Sequence, residues 1–408
     1  MDSASPQRNR YYRPELDVLR FLAFALVFLS HSLPNASHPQ LTRLLGGLAP
    51  LYDSAVTATG FGLNLFFALS AFLICELLLR ERDAAATVQV KQFYLRRMLR
   101  IWPLYYLGLC LGGIVALLPG GHTADLVALG WYGIFLSTWF IPAHRFLASP
   151  AGPLWSISVE EQFYAVVPWL TKVLNRKSLY AFCIVVILVA NGWLFHLGRV
   201  RAPIYRIWGS SFVQFEPFAA GILLCLILHG RLPKIGIWQR LILLAAGWSA
   251  WVFACYRFHP LFDPHKNPGG AALMCGYALA AMGSVMLLVA FLGADSKSLP
   301  KWAIYLGRIS FGLYVYHEFA IYLTSNLARH LDAVVIQSYL LRALRVIGIE
   351  LLLPMALTVL MAMLSYHLFE TPFLKMKRRH TLIESSPLRT HTHSTHFRRF
   401  SASHPATG

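Results

Sequence analysis

The sequence predicts an all-α, polytopic integral membrane protein of about ten transmembrane helices plus one re-entrant or interfacial segment. Of 408 residues, 57% are hydrophobic and 13% charged, and the mean hydropathy is +0.53. The apolar residues gather into stretches of roughly 17 to 25, each long enough to cross a hydrocarbon core about 30 Å thick. In a soluble chain a formal charge of +18 would suggest nucleic acid. Here Lys and Arg sit in the tails and some loops, as membrane topology requires, and no nucleic-acid partner is expected.

The predicted spans are 14–33, 58–79, 101–119, 155–171, 179–198, 209–229, 237–257, 271–293, 304–327 and 340–369. The first lacks a small-residue cleavage site and reads as an uncleaved helix. A further apolar piece, 126–141, is arbitrated by loop charge. If it does not cross, Arg8, Arg10 and Arg13, the 80–100 loop, 172–178, 229–234 and the tail after Phe373 share one side. The positive-inside rule then places both termini in the cytoplasm, with the basic loop 198–206 as an exception. Residues 1–13 form a cytosolic N-terminal segment, 14–374 the membrane domain, and 375–408 a basic tail read as disordered. No appended soluble domain is expected, so chemistry is expected inside the membrane part. The closing FETPFLK, 369–375, reads as a helix stop. Cysteines 75, 110, 183, 225, 255 and 275 show no zinc spacing and read as small buried hydrophobes. The tail histidines His391, His393 and His396 lack ordered neighbours, and no metal is expected.

Four polar constellations interrupt the apolar runs. In ELDVLRFLAFALVFLSHSLP, helical winding puts Asp17, Arg20 and His31 within a sector of roughly 60°, with about 16 Å of rise from Arg20 to His31. They form either a functional stripe through the span or two interfacial ends. In KQFYLRRMLRIWPLYYL, Arg97 and Arg100 stand one turn apart; they orient the protein or grip a phosphate. In GPLWSISVEEQFYAVVPWL, Ser156, Glu160 and Tyr164 recur every fourth residue and share one face. A carboxylate at membrane depth reads as functional, with an interhelical ion pair as the alternative; Glu161 points about 100° away and reads as structural. In YLGRISFGLYVYHEFAIYL, His317 and Glu318 fall near mid-span, for proton shuttling, substrate binding or helix pairing.

Taken together these segments resemble the membrane acyltransferase-3 family. ELDVLR followed by His31 is similar to its arginine-to-histidine opening, Arg97-Met-Leu-Arg100 to its RxxR, PLWSISVEEQFY to its Trp-Ser…Glu-Glu-x-Phe-Tyr segment, and LGRISFGLYVYH to its late His block. The resemblance covers residues 14 to about 374. Asn64 stands where the family usually carries Asp, Ala71 where it carries Gly, and Phe311 where Tyr is common. The resemblance implies an O-acyltransferase of the bacterial cytoplasmic membrane. Its co-substrate would be acyl-CoA, usually acetyl-CoA, with no permanently bound cofactor, and its acceptor a hydroxyl of a cell-surface or exported glycan or glycolipid.

On this reading His31 is a general base with Glu160 orienting or recharging it, an acyl-histidine relay being the alternative, and Asp17 belongs to the same catalytic stripe. Arg20, Arg97 and Arg100 bind the donor. Trp155, Ser156, Tyr164 and His317 contact substrate. The rival readings are a transporter of an organic anion, using the same charges as a path, and a non-catalytic glycan-export component.

Overall fold

The computed structural model describes residues 11–34, 45–119, 121–261, 267–331, 346–380 and 383. Among these the regular structure is helical, without a strand. The bulk of the predicted tail, with His391, His393 and His396, lies outside the described residues.

Helix α1, Pro14–Ser32, opens with proline in its first turn and has Glu15 and Asp17 where the helix dipole favours anions. It ends before Pro34. Helices α2, Ala49–Ala58, and α3, Gly62–Ala85, form one nearly continuous stretch through a 3₁₀ turn. Then come α4, Val90–Leu117, and the short α5, Asp125–Gly133, and α6, Ser137–His144. They are followed by α7, Trp155–Val173, α8, Arg176–Arg199, α9, Ile204–Trp208, and α10, Ser211–Leu228. The rest is α11, Ile237–Phe258, α12, Gly270–Phe291, α13, Lys301–Arg308, α14, Ser310–Leu331, α15, Leu353–Ser365, and α16, Thr371–Arg378.

Seven helical stretches are long and apolar enough to cross a membrane: Gly46–Ala85, Val90–Leu117, Arg176–Arg199, Ser211–Leu228, Ile237–Phe258, Gly270–Phe291 and Gly348–Lys377. The three other predicted spans correspond to α1, α7 and α14, of 19, 19 and 22 residues. At 1.5 Å per residue each reaches about 30 Å. These three helices carry the acidic residues and histidines of the site.

Burial separates core from periphery. In Gly46–Ala85 the most apolar window is 83% buried, against 22% for α8 and α11, so α3 is central and the other two show Val185, Leu188, Val189, Ile242 and Phe253 outward. Exposed aliphatic faces of that kind suit lipid rather than water. The core closes by backbone approach. A Cβ at Gly221 of α10 would run into the Ala68 backbone of α3, and one at Gly307 of α13 into the Asp17 backbone of α1. Small residues at such crossings let membrane helices gain dispersion contact, since lipid supplies no hydrophobic drive between them.

The expectation that 126–141 does not cross agrees with the structure, while several others change. Residues 126–141 divide into helices of nine and eight residues, broken where Phe135 takes φ 59°, and neither is long enough to cross. The segment packs on the second half of α4: Tyr105 donates to the Tyr132 carbonyl at 2.7 Å and Tyr106 to that of Gly133 at 3.0 Å. The predicted span 304–327 is interrupted at Ile309, between α13 and α14. The predicted stop at Pro372 is not one. A π-helical turn, Tyr366–Glu370, leads into α16, where Pro372 occupies the first turn. Helix therefore passes the predicted domain boundary at 374, and residues up to His380 pack on α4: Arg96 donates to the His380 carbonyl at 3.0 Å, and His380 Nδ1 lies 2.8 Å from Gln92 Oε1. Of the six cysteines, Cys110 and Cys275 are exposed on outward faces instead of buried.

Candidate active site

Three cavities follow one another along α1. The first, about 70 Å³, lies at the N-terminal end of α1 and is lined by Tyr12, Arg13, Asp17, Arg20, Ser70, Arg97, Arg100 and Lys377 among others. It holds five cationic side chains against one carboxylate. Asp17 is buried at 4% exposure; its Oδ1 accepts from Arg20 at 2.7 Å and its Oδ2 from the Tyr12 hydroxyl at 3.0 Å. The Tyr12 phenol, held above its ordinary range by burial and then by the Asp17 charge, stays a donor here. Arg97 lies over the rings of Phe93 and Tyr164, at 5.6 and 5.4 Å from their centroids. Its Nε is buried without a hydrogen-bond partner, and among the described residues neither Arg97 nor Arg100 is ion-paired. Clustered guanidiniums with spare donors make an anion site, and forked donors suit phosphate.

The second cavity, about 90 Å³, shares Arg20, Ser70, Arg97 and Arg100 with the first and adds Ser156, Glu160, Tyr164, Ser310 and Tyr314. The predicted stripe of Ser156, Glu160 and Tyr164 does line one space. Glu160 accepts from Ser70 at 3.1 Å and from Tyr164 at 3.2 Å. Tyr314 donates to the Pro153 carbonyl at 2.7 Å and shares a 2.6 Å hydrogen bond with Ser156. Glu161 faces elsewhere and accepts from the Trp102 indole at 3.2 Å.

The third is a cleft of about 730 Å³ at the C-terminal end of α1, reached past Leu63 and Tyr314, which also line the second cavity. Its walls include His31, Trp155, Trp208, Glu318 and Tyr322. His31 pairs through Nδ1 with the Glu318 carboxylate, and its ring meets that of His317 edge-on, centroids 5.2 Å apart and planes at 89°. His317 is completely buried. Its Nδ1 lies 2.6 Å from the Tyr314 carbonyl, an oxygen that only accepts, so Nδ1 carries the hydrogen. The other nitrogen, Nε2, has no hydrogen-bond partner among the described residues.

These placements correct two pairings. The carboxylate on His31 is Glu318, not Glu160, because α14 packs against α1 at that end while Glu160 is tied to Ser70 on α3. Asp17 cannot act at the same atom as His31: fourteen helical positions separate them by about 21 Å of rise, and Asp17 instead holds Arg20. The structure does bring Arg20, Arg97 and Arg100 together, and it puts Trp155 and His317 with His31. Tyr314, Ser70 and Lys377 draw no role from sequence, and Glu318, singled out with His317, is not read there as the partner of His31. Glu318 adjoins His317 and stands one turn beyond Tyr314, a signal that was present; Ser70, in an apolar run, gives none.

A family model described as an acyltransferase domain, acyltransferase 3, matches residues 13–367. The chain belongs to the membrane acyltransferase-3 family. Within that family it is 24% identical to a putative O-acetyltransferase of Staphylococcus aureus strain MSSA476, over 89% of this chain and 58% of the relative. It is 26% identical to the peptidoglycan O-acetyltransferase OatA of Listeria monocytogenes, over 90% of this chain and 56% of the relative. It is 24% identical to nodulation protein 10 of Rhizobium leguminosarum bv. viciae, over 77% of this chain and 84% of the relative. The chain thus spans less than two thirds of the length of the first two acyltransferase-3 relatives. No solved structure matches it.

Proposed function

We propose that the protein transfers an acetyl group from acetyl-CoA to a hydroxyl of a cell-envelope glycan. The observation that carries this reading is the row of three cavities that share lining residues, cation-lined at one end and ending in the His31–Glu318 pair at the other. Coenzyme A phosphates fit the end with Arg20, Arg97, Arg100 and Lys377. The thioester arm threads the narrow middle past Glu160 and Tyr314, covering the roughly 16 Å of rise between Arg20 and His31. The acceptor sugar enters the wide cleft and rests on Trp155 and Trp208.

Neutral His31 takes the acceptor hydroxyl proton as its oxygen attacks the thioester carbonyl. Glu318 stabilises the imidazolium that results. The carbon–sulfur bond then breaks, and the imidazolium returns the proton to the departing thiolate. Glu160 sits among the arginines and holds their array, with Tyr164 and Ser70, where the pantetheine arm passes. The family match and the names of the relatives support acyl transfer over a transporter or an export component. In this reading the chain is a multi-pass protein of the bacterial cytoplasmic membrane, with both termini and the arginine cavity on the cytoplasmic side.

The test is reconstitution of the purified protein in vesicles with labelled acetyl-CoA on the arginine side, together with mass spectrometry of envelope glycans from cells with and without the gene. An ester that disappears with the gene, matched by label transfer in vesicles, is expected. Unchanged glycan esters with no coenzyme A release would overturn the reading.

A further inference from the structure

His31, His317 and Glu318 place one donor atom each within 4.8 Å of one another, and nothing in the transfer step above uses His317. We propose that these three side chains form a binding site for a divalent ion of the zinc class, and that the ion and acyl transfer exclude each other.

The donor set has the right chemistry. Two imidazole nitrogens and one carboxylate oxygen suit zinc, whereas magnesium and calcium take oxygen ligands. Three ligands of a tetrahedral ion lie about 3 to 3.5 Å apart, within reach of the observed spacing by small side-chain rotations. The two rings meet edge-on at 89°, which lets both nitrogens point at one position.

His317 supplies the independent observation. Its Nδ1–H is committed to the Tyr314 carbonyl at 2.6 Å, leaving a fully buried Nε2 lone pair that no donor among the described residues satisfies. A metal-ligating histidine is commonly fixed in this way, with its other nitrogen donating to a backbone carbonyl. A buried acceptor without a partner is costly, and an ion would remove that cost. His31 and Glu318 both line the wide cleft, so the fourth position of the ion would face it, open to water.

The regulatory half of the proposal rests on the acyltransferase reading. A neutral imidazole has one basic lone pair. When His31 gives it to the ion, no lone pair remains for the acceptor proton. Zinc therefore acts as a reversible brake.

The experiment uses the full chain, purified through a tag without histidine, with His391, His393 and His396 changed to Ala so that the tail does not bind the probe ion. Co²⁺ is the spectroscopic probe. Expected are one Co²⁺ per chain with the intense visible bands of a four-coordinate ion, displacement by Zn²⁺ but not Mg²⁺, and zinc inhibition of acetyl transfer that a chelator reverses. His317→Asn keeps a donor for the Tyr314 carbonyl and removes Nε2, so it should lose the cobalt bands and weaken binding at least about tenfold. If that variant does not fold, Glu318→Gln is read for cobalt binding in its place, with the same expectation. Absence of cobalt uptake by the parent chain, or unchanged bands in the variant, overturns the site. Cobalt uptake without any acetyl transfer would instead refute the acyltransferase reading and leave the ion site standing.

Discussion

In the proposed mechanism His31 takes a proton from the acceptor as the thioester is attacked, and Glu318 beside it stabilises the resulting charge. His31→Ala is expected to lower transfer by about 10²- to 10⁴-fold in reconstituted vesicles while the protein still inserts; near-normal turnover would remove His31 from the reaction. The pairing of His31 with Glu318 and of Glu160 with Ser70 and Tyr164 separates the two carboxylates by kinetics. Glu318→Gln keeps the volume but cannot stabilise an imidazolium, so kcat should fall by about 10²-fold or more with little change in donor KM. Glu160→Gln, among the arginines, should act mainly on donor KM. The reverse pattern would restore the orienting role to Glu160. Arg97→Lys combined with Arg100→Lys keeps the charge and loses the forked donors, so donor KM should rise by the equivalent of about 1 to 3 kcal/mol while acceptor KM stays put. An unchanged donor KM on correctly inserted protein would detach these arginines from coenzyme A.

Helices in this protein meet where side chains are smallest. Gly221 lies against the Ala68 backbone, while Gly192 on α8 has open space around its missing Cβ. Gly221→Leu should therefore cost about 1 to 3 kcal/mol or prevent assembly, and Gly192→Leu should be tolerated, as read by thermal unfolding in detergent. Equal melting of both variants would mean that the α3–α10 contact is not tight. The helices also reveal which segments return without crossing. α4 begins at the arginine cavity with Arg97 and Arg100, and α7 begins at the His31 cleft with Trp155. The chain between them starts and finishes on the cleft side, where Ser149 donates to the Gly112 carbonyl near the end of α4 at 3.2 Å. Residues 126–141 thus stay on one face of the bundle.

For the whole molecule, the first turns of α1 and α4 and the end of α16 share the arginine cavity. Tyr11 and Lys377 therefore lie on the same side of the bundle, the side that the proposed orientation, following the positive-inside rule, takes as cytoplasmic. A cysteine at Ser178, just inside α8, should be shielded from an impermeant thiol reagent in intact cells and labelled after the membrane is opened. Cys110 and Cys275 are exposed and need replacing first, since their labelling would be confused with the probe. Labelling of Ser178→Cys from outside would reverse the orientation and put donor entry on the wrong face.

Hydropathy and helical periodicity are local and repeat every few residues, so the all-α membrane class and the shared face of Ser156, Glu160 and Tyr164 were legible in the sequence, whereas the grouping of Arg20, Arg97 and Arg100 came from the family resemblance and the expected topology. Which carboxylate faces His31, that His317 lies beside both, that Lys377 lines the arginine cavity, and that the helix passes Pro372 came only from the packed chain. Each of these depends on which helices are neighbours, and that is set by close backbone contacts at positions such as Gly221 and Gly307, where a missing side chain leaves no trace in the hydropathy pattern. Glu160 and Glu318 are both carboxylates on apolar helices. Only the packing of α14 on α1, and of α7 on α3, gives one of them the histidine and the other the arginines.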